Sequence, residues 1–400
     1  GHHKSDRLLG LIEDLALPTV FFAEGGGGRP TDTDYPVVSA LDVRTFALWA
    51  RLSGVVPRIA VVAGRCFAGN AIIAGSSDLI VATRTSTMGV AGPAMIAGAG
   101  LGDYRAEQIG PAETMAANGV IDVLVDDEQQ AVAVTRALLS MFAGDGPVAG
   151  AADQRVLREA LPERDRQAYD VRPIISTLAD TDSVIFLREA FAPELVTAFA
   201  RIGGRPVGVI ANQTLHMAGA LTADAGDKAA RFVQLCDAFG IALVSLVDTP
   251  GIMAGPDAER TAIVRHASRL LVATARLSVP LIGIVLRRGY GLGAQAMLGG
   301  STKEPLMTLA WPSGHMGPMG LEGAVRLAMG KQLDMIEDPV QRQERTREAT
   351  QAYREHVTVF NAARLFEIDD VIDPAQTRDV IVRLLAAAPS TPSGRVVDTW

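Results

Sequence analysis

The stretch GRCFAGNAIIAG, residues 64–75, has a counterpart in RRGYGLGAQAMLGG, residues 287–300. Each follows a strand-like run opened by proline, PRIAVV at Pro57 and PLIGIV at Pro280. Each run is itself preceded by ARLS, at 50–53 and 275–278. One such match carries little weight, but two in register point to an internal duplication. A strand handing over to a helix through small residues, used twice, constrains the chain to an α/β architecture in related halves.

Small residues at such a handover let a ligand approach main-chain N–H groups that have no helical partner. Those amides, backed by the helix dipole, stabilise negative charge. Where the charge develops on a thioester oxygen becoming an enolate, the arrangement is an oxyanion hole, and one donor of this kind is worth roughly 10²–10³ in rate. For either turn alone, tight helix–strand packing explains the glycines equally well. For both together it explains them poorly.

The remaining composition fits this frame. A chain of 400 residues exceeds one ordinary core, so two domains of about 150–200 residues are expected. Charged residues make up only 20% and the net charge is -8, which argues against a general nucleic-acid surface. Cys66 and Cys236 cannot form a disulfide framework or a four-cysteine zinc site, and a reducing cytoplasm is the default. No apolar run reaches membrane-spanning length. The chain opens GHHKSDR without an initiator Met, as a tag remnant or a piece of a longer polypeptide would.

Helices are expected over 4–15, 41–52, 108–117, 128–142, 227–239, 261–275, from Ala294, and over 378–388, with a polar, solvated helical stretch over 339–366. Strands are expected in PTVFFAEGG, PRIAVVAG, LIVATRTSTMGVAG, RPVGVIAN, IALVSLVDTPG and PLIGIVLRRG. The composition shift between Ala143 and Arg172 marks a linker, giving domains 1–145 and 173–400 joined by 146–172.

Other chemistries find little support. EGGGGRP lacks the Gly-Lys-Ser/Thr ending of a nucleotide loop, and VDTPG has no phosphate loop before it, so a GTPase is excluded. The histidines show no metal-ligand spacing, and no GxSxG elbow occurs. The chain offers anion-stabilising backbone without a protein acid, base or nucleophile, so a proton acceptor from a cofactor is expected.

These residues resemble the carboxyltransferase components of biotin-dependent acyl-CoA carboxylases. The resemblance runs through HHKSDR, FFAEGGGGR, GRCFAGNA and GVAGPAMI in the first half. In the second half it runs through FARIGGRPVGVIANQ, GDKAARFVQLCDAFGIALVSLVDTPGI, RRGYGLGA, MGPMGLEGAV and DDVIDPAQTR. In style the chain is similar to the carboxyltransferase domains of single-chain enzymes acting on long acyl-CoAs. The resemblance implies an α/β fold of two crotonase-like (ClpP/crotonase) β-β-α superhelix domains related by duplication. The family has a substantial segment ahead of the position of HHKSDR, so the first domain is expected to lack its upstream part.

The resemblance further implies an acyl-CoA oxyanion hole at Gly69 and Asn70, with Ala71 as a substitute donor, and a biotin hole at Gly293 and Ala294. Substrate-binding positions carried over are Gly26, Gly27, Arg29, Gly92, Pro93, Gln295, Ala296, Met319 and Gly320, with the small Ala296 leaving room for propionyl or longer acyl groups. An extra residue in each turn leaves the amide assignment open by one position. Biotin is expected on a separate carrier domain, since no Met-Lys-Met sequence occurs. Implied partners are biotin carboxylase and biotin carrier domains or subunits and further copies of the chain, at least a dimer and up to a hexamer, with no nucleic acid, membrane or metal.

The expected reaction is transfer of CO2 from carboxybiotin to the α-carbon of an acyl-CoA, with the freed biotin nitrogen taking the α-proton. Three alternatives stand beside it. A biotin-dependent decarboxylase subunit would use the same two holes. A biotin-free hydratase or isomerase would need a carboxylate such as Asp78 or Glu113 beside the first turn. A non-catalytic scaffold would bind no CoA.

Overall fold

The computed structural model describes residues 2–26, 41–164 and 166–400. In the first half, α1 (His2–Leu15), β1 (Thr19–Phe22), α2 (Thr45–Arg51), β2 (Arg58–Val62), β3 (Arg65–Phe67) and α3 (Gly69–Gly75) come first. They are followed by β4 (Leu79–Thr83), β5 (Thr87–Gly89), α4 (Pro93–Gly98), α5 (Ala106–Ile109), α6 (Ala112–Ala117), β6 (Val123–Val125) and α7 (Glu128–Phe142). The second half opens with α8 (Arg172–Leu178), β7 (Ile185–Leu187), β8 (Leu195–Ile202), β9 (Arg205–Asn212), α9 (Ala223–Ala238) and β10 (Ala242–Thr249). Next are α10 (Pro256–Glu259), α11 (Ile263–Thr274), β11 (Leu281–Tyr290), α12 (Gly291–Met297), β12 (Met307–Ala310) and β13 (His315–Gly317). The chain closes with α13 (Leu321–Asp334), α14 (Pro339–His356), α15 (Val359–Arg364), β14 (Asp370–Val371) and α16 (Thr377–Ala387).

The two halves repeat one strand pattern. Parallel strands β1-β2-β4-β6 in the first correspond to β10-β11-β12-β14 in the second, which β9, β8 and β7 extend on one side and β13, paired to β11, completes as an eight-stranded sheet. The helices expected at 108–117 and 339–366 are each broken in two. Gly110-Pro111 separates α5 from α6, and no side chain fits at Gly110, where a Cβ would lie 1.9 Å from the Met88 carbonyl oxygen. The second break falls after His356, where Val357 is buried and Thr358 caps α15.

One hydrophobic cluster joins the halves, drawing on β2 and β4 on one side and on β8, α9 and β10 on the other. Phe142 of α7 sits edge-on to Phe199 and Phe239 at 5.6 and 5.2 Å. Residues 146–172, expected as a linker, contribute Leu157, Tyr169 and Val171 to a second core cluster. Their shift in composition goes with irregular backbone, while Leu157, Tyr169 and Val171 are buried and Val148 and Val156 stay exposed. No described helix is long and apolar enough to cross a membrane.

The last residues grip both copies of the ARLS motif. Ser53 donates its hydroxyl to the Val397 carbonyl (3.1 Å) and accepts the Val397 N–H (3.0 Å). Ser278 donates to Thr391 (3.2 Å), and the Arg395 guanidinium reaches the Arg276 carbonyl. Ser53→Ala leaves both polar groups of the buried Val397 unpaired, so a loss of about 1–3 kcal/mol is expected in chemical denaturation.

Candidate active site

The two turns of the sequence repeat can be matched residue by residue through the strand pairs that precede them. In the first half β3 pairs β5 as Arg65↔Thr87, Cys66↔Met88 and Phe67↔Gly89. In the second the end of β11 pairs β13 as Arg288↔His315, Gly289↔Met316 and Tyr290↔Gly317. Counting on from these pairs, Ala68, Gly69, Asn70 and Ala71 match Gly291, Leu292, Gly293 and Ala294. The pair Gly69–Asn70 therefore matches Leu292–Gly293, one position ahead of Gly293–Ala294. Continuing past β5 and β13, Gly92 matches Gly320, and each is the N-cap residue of the helix that follows, α4 or α13. Four positions expected as separate binding residues, Gly92, Pro93, Met319 and Gly320, thus form one repeated feature.

At the first turn, the amides of Gly69 and Asn70 have no hydrogen-bond acceptor among the described residues. The Ala68 N–H donates to Gly89 (3.0 Å), which ties the turn to β5. Asn70 donates its side-chain amide to the Glu24 carbonyl (2.8 Å), and Glu24 accepts the Ala63 N–H on its carboxylate (2.6 Å). Asn70 thereby fastens the backbone at Glu24 over the start of α3. Phe46 of α2 lies against Gly69, where a Cβ would come 2.9 Å from the ring. Ala68 has φ 54° and ψ −127°, a conformation that disfavours any side chain. Its counterpart is Gly291, φ +58°. Ala68→Gly is expected to raise stability by about 1 kcal/mol, read as a higher melting temperature.

The second turn is built more tightly. A Cβ at Gly293 would fall 2.5 Å from the carbonyl carbon and 2.7 Å from the Cα of Gly251. Gly251 has φ +129°, and Gly25, in the same relation to Asn70, has φ +132°. Where the first copy fills this gap with the Asn70 side chain, the second brings backbone against backbone. Asp248, fully buried, accepts from Arg287 Nε (2.9 Å), Arg288 Nε (2.6 Å) and the Tyr169 hydroxyl (2.9 Å). The VDTPG stretch is thus a structural brace for the arginines that enter the turn. No described residue accepts from the Leu292 or Gly293 amides.

A cleft of about 680 Å³ opens over this second turn, lined by Gly291, Leu292, Ala294 and Gln295 and walled by Lys303 and Phe366. The Lys303 ammonium sits 3.5 Å above the Phe366 ring centre. Ala296, expected to shape this pocket, faces the opposite way and is fully buried in the core, because α12 turns its next residue inward. Gly26 is exposed at the edge of the first turn, while Gly27 and Arg29 lie outside the described residues.

Side-chain nucleophiles and bases are scarce around both turns. Burial pushes the Cys66 thiol up to about 12, and Cys236 is also raised by burial. Asp78 is buried in an ion pair with Arg58 (2.8 Å). The described residues include no group of His, Cys, Asp and Glu able to hold a metal. Sequence reading passed over Phe46, Lys303 and Phe366, and it noted Glu24 only as the start of EGGGGRP. Phe46, Lys303 and Phe366 meet their turns through space, and no local motif marks them.

A family model described as carboxyl transferase domain matches residues 13–397. The chain is 35% identical to the methylmalonyl-CoA carboxyltransferase 12S subunit of Propionibacterium freudenreichii subsp. shermanii, covering 96% of this chain and 75% of that protein. It is 34% identical to the biotin-dependent acetyl-/propionyl-coenzyme A carboxylase beta6 subunit of Mycobacterium bovis, covering 95% and 80%. A solved single-chain, multi-domain long-chain acyl-CoA carboxylase matches with TM-score 0.90 and 48% identity over 96% of this chain. The chain spans 37% of that longer polypeptide. With a family model over nearly its full length and curated relatives at this level of identity, the chain belongs to the carboxyl transferase domain family.

Proposed function

We propose that this chain is the carboxyltransferase of a biotin-dependent acyl-CoA carboxylase, moving CO2 between carboxybiotin and the α-carbon of an acyl-CoA. The observation that carries this reading is the pair of turns with matching registers, whose leading amides have no acceptor among the described residues. The matching registers also support two crotonase-like halves, 1–145 and 173–400, related by duplication.

A planar cyclic urea fits the second site. Main-chain donors form its floor, the Phe366 ring and Leu292 flank it, and the volume suits a small bicycle. When bound, carboxybiotin supplies the CO2 and, at its freed nitrogen, the base for the α-proton. The chain's own work is electrostatic. The amides at Gly293 and its neighbour would hold the ureido oxygen of a bound carboxybiotin. The amides of Gly69 and Asn70 hold the thioester oxygen as it takes on enolate character. Asp248 keeps Arg287 and Arg288 fixed, so the second turn does not reorganise during the reaction.

Relatives described as biotin-dependent carboxylase subunits and a hexameric 12S assembly support biotin carboxylase and carrier partners and a homo-oligomer. The long-chain enzyme among the matches favours an acyl group of propionyl length or longer. Two buried free cysteines fit a reducing cytoplasm.

The test is the reverse reaction, with free biocytin and a panel of carboxylated acyl-CoAs. Biocytin-dependent loss of the carboxyl group is the expected result. CoA binding without turnover on any member of the panel overturns the proposal.

A further inference from the structure

The two turns share one backbone, so whatever makes them choose different ligands lies in the side chains over them. They differ most at matching positions. Gly69 in the first copy corresponds to Leu292 in the second, which is 62% exposed over the cleft. The ARLS motifs align Phe46 with Leu271, four residues ahead of Ala50 and Ala275 respectively. Leu271 lies beyond the end of its turn helix, 3.7 Å from where a Cβ at Gly300 would sit. Phe46 instead lies over the start of its helix, on the bare Gly69.

The mount of Phe46 is rigid. On α2, Leu48 and Trp49 are buried with Leu9, Leu52, Val56 and Ile73, and the Trp49 carbonyl accepts from Arg58 (2.9 Å). Thr45 donates to Asp6 (2.6 Å). Phe46 remains 39% exposed on this fixed helix. Ile72, three residues along α3 from Gly69, is a second apolar side chain left 51% exposed. An exposed ring on an ordered helix, against the residue whose amide faces the reacting oxygen, is placed to meet the chain attached to that oxygen's carbon.

We propose that Phe46 is the acyl-specificity residue of this chain, with Phe46 and Ile72 forming the wall along which the alkyl tail of an apolar acyl-CoA lies. This rests on the carboxyltransferase reading above, and it assigns the selection of acyl length to α2. A tail packed on the ring gains contact that malonyl-CoA, having no tail, cannot make.

The experiment compares malonyl-CoA with a long alkylmalonyl-CoA in the biocytin-dependent reverse assay. Phe46→Ala is expected to lower kcat/KM for the alkylmalonyl substrate about ten- to thirtyfold, leaving malonyl-CoA within about threefold. Phe46→Leu should recover most of the loss. An equal fall on both substrates, or a loss of oligomeric assembly on size exclusion with both falling together, assigns Phe46 a structural role and overturns the proposal. No change on either substrate also overturns it. Wild-type protein inactive on both overturns the transferase reading itself, an outcome distinct from any behaviour of the variants. Should Phe46→Ala fail to fold, Phe46→Val removes the ring with a smaller void and is read the same way.

Discussion

Gly293→Ala is expected to lower the biocytin-dependent reaction by about 10²–10³, in kcat and kcat/KM alike. The Cβ would press on the carbonyl carbon, Cα and carbonyl oxygen of Gly251 at 2.5, 2.7 and 2.8 Å. These are backbone atoms, so no flexible end can swing aside. Gly251 itself holds φ +129°, which leaves its loop few other conformations. The turn must then open, carrying its amides off the position where oxygen charge develops. Asn70→Gly at the matching position is the comparison. It removes the bond to the Glu24 carbonyl but leaves the amide in place, so a fall of no more than about tenfold is expected. Circular dichroism and melting temperature of both variants separate this effect from unfolding. If Gly293→Ala folds and turns over normally, the second turn is not a charge-stabilising site.

What could be read from the sequence follows from how local each feature is. The proline-opened runs became β2 and β11, and the two Gly-rich handovers became α3 and α12, because strand and turn chemistry are written in adjacent residues. The strand β8, LVTAFARI, escaped notice with its partner β7. Its signal was nevertheless present, since Gly203-Gly204 lies between two apolar runs and forms the hairpin closed by Ile202↔Arg205. The amide register was out of reach for a different reason. An inserted residue can be placed only against a partner strand, and the partners, β5 and β13, come later in the chain. Side chains such as Phe46 reach Gly69 only through packing of α2, and VDTPG gained its meaning from Arg287 and Arg288 in another motif.

Removing one member of the charge pair that joins the halves should be the most destabilising single change. Asp122, at the start of β6, accepts the Ile80 N–H of β4 (2.7 Å) and the Arg188 Nε (2.9 Å), with both side chains almost wholly buried. Arg188 continues the chain of bonds, since its carbonyl takes the Lys228 ammonium (2.9 Å), which also caps Phe191 and Leu195. Beside this, Arg231 of α9 donates to the Ser77 and Asp78 carbonyls at 3.2 and 2.7 Å. Sheet and helix from opposite halves are thus bound by charges that have left water. Asp122→Ala strands the Arg188 guanidinium without its counter-charge, and a loss of about 3–5 kcal/mol is expected in urea denaturation. Replacing both by leucine removes the stranded charge, so the double variant should lose well under the sum of the single losses, with a coupling of about 0.5–3 kcal/mol. Because one core spans both halves, the wild type should unfold in a single transition, whereas Asp122→Ala should show a smaller denaturant dependence as the halves separate before they melt. A loss below about 1 kcal/mol, with the denaturant dependence unchanged, would mean that the shared apolar core alone holds the halves together.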